Sequence, residues 1–234
     1  MRILYVAMAH EYGRPGLGPS FEEMNFRSAL EGMGHELHCF DFRMRFEAVG
    51  PEAMNAELVA QAAEVEPDLA FFFLHEEEIA PATIRAVAKA GRCPTMNWFA
   101  DDHWRFKRFT KRYAPAFDWS VTTDRDALPK YRAAGVDGVL LSQWGVNRYA
   151  YGKTADSLEH GVTFVGLPHG DRPETIERLR EAGHQVECWG KGWPNARIDH
   201  AEMVHVFGPS AIKLNLSNSS AQPRTARFRL GALV

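Results

Sequence analysis

The sequence predicts an α/β protein made of two Rossmann-like domains with parallel sheets. Short apolar runs rich in β-branched and aromatic residues alternate with segments of helical spacing. Glycine follows several of the helical segments, as at Gly34 and Gly135, where it is the usual C-terminal cap. The alternation stops in a polar stretch after Asn147 and then restarts. The predicted parts are an N-terminal domain over 1–147, a linker over 148–160 and a second domain over 161–234.

Six strands are predicted in the first domain, each from a short apolar run. They cover Arg2–Met8, Glu36–Phe40, Asp68–Leu74, Pro94–Phe99, Asp118–Thr123 and Gly138–Ser142. The helices predicted between them cover Phe21–Met33, Glu52–Val65, Ile79–Ala90, a segment from His103, and Ala127–Ala134. Ser20 stands where the first helix needs an N-cap, with Glu23 three residues later as its capping-box partner.

The second domain begins with a strand, a helix and a strand. Ile176, Leu179 and Ala182 lie on one face of the predicted helix, and Gly183 follows as its C-terminal cap. After Ser220 the sequence shows no helix or strand pattern. The predicted strands are Val162–Gly166, Gln185–Trp189 and Ile212–Ser217, and the predicted helices are Glu174–Ala182 and Ala201–Phe207.

The composition of the chain indicates a globular protein and argues against several other classes. The 234 residues are 45% hydrophobic and 24% charged, which is ample for a packed core. A net charge of −3 argues against nucleic acid and anionic membranes as partners. No apolar run approaches the roughly 20 residues of a membrane helix. Because Met1-Arg2 leads directly into a predicted strand, we expect no signal peptide. Three dispersed cysteines, Cys39, Cys93 and Cys188, are expected to be buried in a reducing compartment, so we expect a cytoplasmic protein.

Two glycine-bearing loops follow the first two strands of the second domain. The first runs from Gly166 to Asp171, and the second is Gly190-Lys191-Gly192. Backbone N–H groups approach an anion closely where no Cβ blocks them, and Lys191 adds a positive charge. The pattern therefore favours a ligand that carries phosphate.

Asp101-Asp102-His103 follows the fourth strand at its carboxyl end, where open α/β sheets bind ligands. A carboxylate or imidazole there would serve as a general base toward a hydroxyl group. Alternatively, Asp101 or Asp102 caps the helix that starts at His103, because the helix dipole favours an acid at that end. The two interpretations are compatible.

Several blocks, taken in order and spacing, resemble the CgeB-like family of glycosyltransferases, which have the GT-B architecture of two Rossmann-like domains. The resemblance extends from the first residues to about Ser220. The blocks are Gly16–Phe26, Asn97–Phe106, Leu140–Tyr151, Phe164–Arg172 with Cys188–Pro194, and Ile212–Ser220.

The resemblance implies transfer of a sugar from a nucleotide-diphosphate donor to an acceptor, with no metal and no further cofactor. It places the acceptor on the first domain, with Asp101, Asp102 or His103 as the base. The first loop, which carries His10, Gly16 and Gly18, would then face the ligand cleft, although the same glycines also suit a flexible surface loop. The donor-binding residues it implies are Gly166, His169, Arg172, Gly190, Lys191, Gly192, Ser217, Asn218 and Ser219.

One segment departs from the family pattern. The family continues from the last predicted strand into an Arg-x-Phe-Glu helix start, whereas Arg229 stands here where that glutamate is expected. We therefore expect a truncated second domain with an incomplete donor site. The alternative function is a non-catalytic binding or assembly module that keeps the fold.

Overall fold

The computed structural model describes residues 1–151 and 157–216. The chain divides into two compact units, Met1–Ala150 and Tyr151–Val234. The predicted linker 148–160 contains this division, but residues 152–156 lie outside the described residues, so the domain boundaries stay a prediction. Ser217, Asn218, Ser219 and the Arg229 segment also lie outside them.

Unit 1 is built on a six-stranded parallel sheet in the order β2-β1-β3-β4-β5-β6. All six predicted strands are present, and their ends differ by two residues at most from the prediction. Because the strands are parallel, all their carboxyl ends meet at one edge of the sheet. The strands are β1 (Arg2–Val6), β2 (Glu36–Phe40), β3 (Leu69–Phe72), β4 (Thr95–Phe99), β5 (Trp119–Thr122) and β6 (Val139–Leu141).

Helices connect successive strands of unit 1, as the alternating pattern predicts. Ser20 is the N-cap of the helical segment that begins at Phe21 and continues into α1, since its Oγ accepts a hydrogen bond from Glu23 N at 3.0 Å. These helices are α1 (Ser28–Gly32), α2 (Phe42–Val65), α3 (Pro81–Gly91), α4 (Asp102–Arg105), α5 (Lys111–Tyr113) and α6 (Leu128–Ala133). The short helix α7 (Arg148–Tyr151) follows β6, where unit 1 passes into unit 2.

Two of these helical segments contain a π-helical turn. One turn, Glu23–Arg27, leads into α1, and the other, Phe106–Thr110, joins α4 to α5. A π turn holds about one residue more than an α turn and is frequent near functional sites. Sequence periodicity predicted neither turn.

Helix α2 starts ten residues earlier than predicted. Asp41 is its N-cap, accepting hydrogen bonds from the backbone N–H groups of Arg43 and Met44 at 3.0 Å each. The helix is broken at Gly50, whose φ of 82° is left-handed, and it resumes at Pro51. The part before Gly50 was absent from the sequence prediction.

The sheet of unit 1 has an apolar cluster on each face. The larger cluster packs α2 and α3 against the sheet through fully buried residues such as Leu4, Leu58 and Ile84. Burial of such a side chain stabilises the fold by about 1.5–3 kcal/mol. The smaller cluster centres on Tyr5 and Phe71, so both faces of the central strands are covered, as a Rossmann-like sheet requires.

The cysteine prediction is correct for two of the three residues. Cys93 and Cys188 are buried, whereas Cys39 is exposed. Cys39 lies on β2, the edge strand of the sheet, which is covered less fully than the central strands. Among the described residues, no helix is long and apolar enough to cross a bilayer.

Unit 2 has a three-stranded parallel sheet in the order β8-β7-β9, in the described part of the chain. Phe164, Ile176, Val186 and Cys188 form its core. Gly183 follows α8 with a φ of 89°, which confirms its predicted capping role. The elements are β7 (His160–Val165), α8 (Arg172–Glu181), β8 (Val186–Trp189), α9 (His200–Phe207) and β9 (Ser210–Leu214).

Candidate functional site

A cleft of about 830 Å³ lies at the carboxyl edge of the unit 1 sheet. Its floor includes Met8, Leu74 and Phe99, which follow or end β1, β3 and β4. One wall is the first loop with the helical segment after it, and another wall is α4 with its π turn. His75 contacts both walls, through Tyr12 and Arg105. The cleft thus occupies the position where open α/β sheets bind ligands.

Three large aromatic side chains at the cleft are exposed. The exposed fractions are 59% for Tyr12, 65% for Trp104 and 46% for Trp144. Tyr12 has a left-handed φ of 51°, and its ring meets the ring of His75 edge-on at 5.8 Å. Trp144 meets the ring of Phe21 edge-on at 5.3 Å. These contacts fix the rings of Tyr12 and Trp144 while leaving part of each available to a ligand.

Carboxylates line both walls of the cleft. Glu11 and Glu22 come from the first loop and its helix, and Asp101 comes from the N-cap position of α4. Burial raises the pKa of Glu22, and the nearby Glu11 carboxylate raises it further, against hydrogen bonds from its own backbone and Ser20. Glu77 is already paired with Arg112 at 2.6 Å.

Two guanidinium groups complete the cleft. Arg105 donates a hydrogen bond to the carbonyl oxygen of His75 and stacks over the ring of Phe109 at 4.4 Å. Arg108 is exposed and has no ion-pair partner among the described residues. The wall that carries them can therefore offer hydrogen-bond donors to a ligand.

The structure separates the three predicted catalytic residues. Asp102 is 1% exposed, and its two carboxylate oxygens accept hydrogen bonds from Tyr131 Oη at 2.7 Å and Thr110 Oγ1 at 2.6 Å. Burial raises its pKa, although both hydrogen bonds oppose the shift. Asp102 thus faces the domain interior, and this geometry does not support its predicted contact with an acceptor.

Asp101 lines the cleft and occupies the N-cap position of α4, although its side chain makes no capping hydrogen bond. His103 is exposed and is not among the cleft residues. A role as base in this cleft is therefore geometrically open to Asp101 alone of the three. That role stays a prediction.

The first loop contributes to the cleft through residues other than those predicted. Glu11 and Tyr12 line it, whereas His10, Gly16 and Gly18 do not. His10 pairs with Pro19 across the base of the loop, and its buried Nδ1 has no hydrogen-bond partner among the described residues. The loop is ordered by two short 3₁₀ turns, Glu11–Gly13 and Pro15–Leu17.

In unit 2 the loops after β7 and β8 touch each other. A Cβ on Gly190 would lie 2.2 Å from the carbonyl oxygen of Gly166, so only glycine allows this approach. Trp193 Nε1 donates to the same oxygen at 2.8 Å. Gly192, with a φ of 99°, passes close to Pro168. The sequence prediction that these loops converge at the strand ends is consistent with this packing.

The other predicted donor residues differ in what they contact. Arg172 donates from Nε to the Leu216 carbonyl at 2.8 Å and from Nη1 to the Leu167 carbonyl at 3.1 Å. Arg172 therefore joins the loop after β7 to the segment after β9. Burial lowers the pKa of its guanidinium group. His169 and Lys191 are exposed.

Sequence reasoning missed Glu22, Trp104 and Trp144 as cleft residues. All three fall inside the blocks that carry the family resemblance, so the signal was present. Aromatic residues beside apolar neighbours also suit a core, and only their measured exposure separates the two roles.

No family model matches the chain, and no curated protein matches it in sequence. Solved structures do match. The apo form of the lipopolysaccharide outer core galactosyltransferase WaaB superposes with a TM-score of 0.50 and 10% identity, over 97% of this chain and 70% of that one. Anabaena Alr3699/HepE in complex with UDP-glucose matches with a TM-score of 0.49 and 14% identity, over 93% of this chain and 69% of that one. UDP-GlcNAc 2-epimerase from Neisseria meningitidis bound to UDP-GlcNAc matches with a TM-score of 0.44 and 8% identity, over 91% of this chain and 76% of that one.

At 10% identity the likeness to the galactosyltransferase shows the fold alone. It covers both units, each with the parallel sheet described above. The fold class is therefore α/β with two Rossmann-like units of the GT-B type.

Proposed function

We propose that this chain binds a nucleotide-diphosphate sugar on unit 2 and transfers the sugar to an acceptor held by unit 1. The observation that carries the proposal is the GT-B fold over both units, since the solved galactosyltransferase shares it across 97% of this chain. The resemblance to the CgeB-like family supports the same activity, and membership of that family is part of the proposal.

The loop chemistry of unit 2 supports a diphosphate ligand. The backbone N–H groups of Lys191 and Gly192 make no hydrogen bond to any described residue, and the Lys191 side chain is exposed beside them. Free N–H groups next to a cation form a favourable site for phosphate oxygens. Stabilising the leaving diphosphate in this way lowers the barrier to sugar transfer.

Calorimetric titration of the whole chain with UDP, GDP and dTDP tests the donor site. We expect binding of at least one nucleotide, weakened about fivefold to tenfold by Lys191→Ala, which corresponds to about 1–1.4 kcal/mol. Lys213→Ala is the matched control, since this exposed lysine lies within β9, away from both loops. Absence of binding by all three nucleotides, or an equal effect of both lysine variants, would refute the proposal.

Donor turnover separates transfer from binding alone. Release of free nucleotide from a bound nucleotide sugar in the presence of an acceptor supports the transferase. A chain that binds the nucleotide sugar tightly and never cleaves it would support the non-catalytic binding module instead.

A further inference from the structure

The cleft of unit 1 combines exposed rings with hydrogen-bonding side chains. Its volume of about 830 Å³ falls among small-molecule sites, which span about 300–1,000 Å³. Exposed ring faces such as those of Tyr12, Trp104 and Trp144 offer flat apolar surfaces on which a sugar ring packs. A ligand made of a few hydroxylated rings fits both the volume and the lining.

The wall formed by the first loop carries an uncompensated negative charge. Glu11 and Glu22 both line the cleft, and burial together with the Glu11 carboxylate raises the pKa of Glu22. Neither has an ion-pair partner among the described residues. A half-buried carboxylate without a cation is costly, and a bound ammonium group would remove that cost.

The two arginines of the cleft lie on the wall formed by α4 and the π turn that continues it. Arg105 is held by the His75 carbonyl and the Phe109 ring, so its position is fixed. Arg108 is exposed on the same segment. A ligand with one positive end is thereby oriented, with that end toward Glu11 and Glu22 and its hydroxyl groups toward the arginines.

We propose that the unit 1 cleft is the acceptor site and that its acceptor is a saccharide carrying a protonated amine. The amine binds between Glu11 and Glu22, and the sugar rings pack on Tyr12, Trp104 and Trp144. The role of this saccharide as an acceptor rests on the proposed function, whereas its binding in the cleft is independent of any sugar transfer.

The test uses two tetrasaccharides of β-1,4-linked N-acetylglucosamine, one with a single free amine on its terminal non-reducing sugar and one fully N-acetylated. At about pH 6 most of this amine is protonated, so the probes differ in one positive charge and one acetyl group. Tryptophan fluorescence and calorimetry on the full chain measure both affinities. We expect the cationic probe to bind about tenfold more tightly at low salt, and the difference to shrink near 0.5 M salt, where charges are screened beyond about 4 Å.

Equal affinities, preference for the N-acetylated probe, or binding of neither probe would overturn the proposal without any variant. The double variant Glu11→Gln with Glu22→Gln should reduce the preference to about threefold or less while the N-acetylated probe still binds. Glu23→Gln is the control, because Glu23 pairs with Arg27 and lies outside the cleft lining. A preference that survives the double variant refutes the assigned site.

A pair of tryptophan variants tests the proposed packing of the sugar rings on the aromatic side chains of the cleft. Trp104→Ala should weaken both probes about tenfold, whereas Trp119→Ala should not, since Trp119 is 44% exposed on β5 and is not a cleft residue. Nucleotide titration keeps the two proposals separable. Nucleotide binding without saccharide binding overturns only the acceptor assignment, and the reverse result overturns only the donor site.

Discussion

Replacing Asp102 by alanine should destabilise unit 1 strongly, because two buried hydroxyl groups lose their acceptor. Tyr131 and Thr110 donate to its carboxylate at 2.7 and 2.6 Å inside the core. Each buried donor left unpaired costs about 1–3 kcal/mol, so the free energy of unfolding should fall by about 2–6 kcal/mol. In a chain of this size that lowers the melting temperature by roughly 5–20 °C.

Urea unfolding followed by circular dichroism measures the loss. Asp102→Asn keeps one acceptor oxygen, and the hydroxyl groups can reorient toward its amide, so we expect a cost of about 1 kcal/mol or less near neutral pH. Asp126→Ala is the control, since this exposed side chain should change stability by no more than about 0.5 kcal/mol. An Asp102→Ala protein as stable as the control would refute the structural role.

The pH dependence of the same variants supplies an independent check. Burial raises the pKa of Asp102, so the folded protein holds this proton more tightly than the unfolded chain does. Its stabilising contribution is complete below the ordinary carboxyl pKa of about 4 and is lost as pH rises through the raised value. Wild-type stability relative to Asp102→Asn should therefore decline from about pH 4 upward. A relative stability that increases with pH over this range would contradict the assignment.

Three further substitutions test unit 2 by the same unfolding assay. Gly190→Ala should cost about 2–5 kcal/mol, because the new methyl group would lie 2.2 Å from the Gly166 carbonyl oxygen at a φ of 136°. Gly161→Ala, which enters open space, should stay within about 0.5 kcal/mol of wild type, and equal effects of the two would contradict the loop contact. Ile176→Ala should cost about 2–5 kcal/mol, since its side chain is fully buried, and a loss below 1 kcal/mol would be incompatible with that burial. Arg172→Ala should cost about 1–3 kcal/mol by removing two hydrogen bonds that join the loops, whereas a neutral effect would show that these bonds contribute nothing.

The strands of the sheet were predictable because each central strand is covered on both faces. Such strands carry unbroken apolar runs, and Leu69–Phe72 in β3 is a clear case. The first part of α2 was not predictable from spacing, because its exposed Met44 and Val49 obscure the helical pattern. Asp41, directly after β2, was the local signal for its start.

The position of the site was predictable from the sequence, but only some of the residues that line it were. The carboxyl ends of the strands identify the edge of the sheet, and Asp101 follows one of them. Burial of the next residue, Asp102, depends on Tyr131, which is 29 positions away in sequence. Trp104 and Phe106 are both aromatic residues on one short helical segment, yet one is 65% exposed and the other 5%. Local sequence does not contain the tertiary contacts that decide these differences.

The π turn Phe106–Thr110 holds about one residue more than an α turn, so it absorbs an extra residue without changing the phase of the helix around it. Deleting one residue there would allow a regular α-helix in which the later side chains keep their direction. Thr110 would then still face Asp102, whereas a deletion in a regular α turn rotates every later side chain by about 100°. Related chains that lack one residue within this turn should therefore share both the sheet and the side-chain contacts that follow the turn.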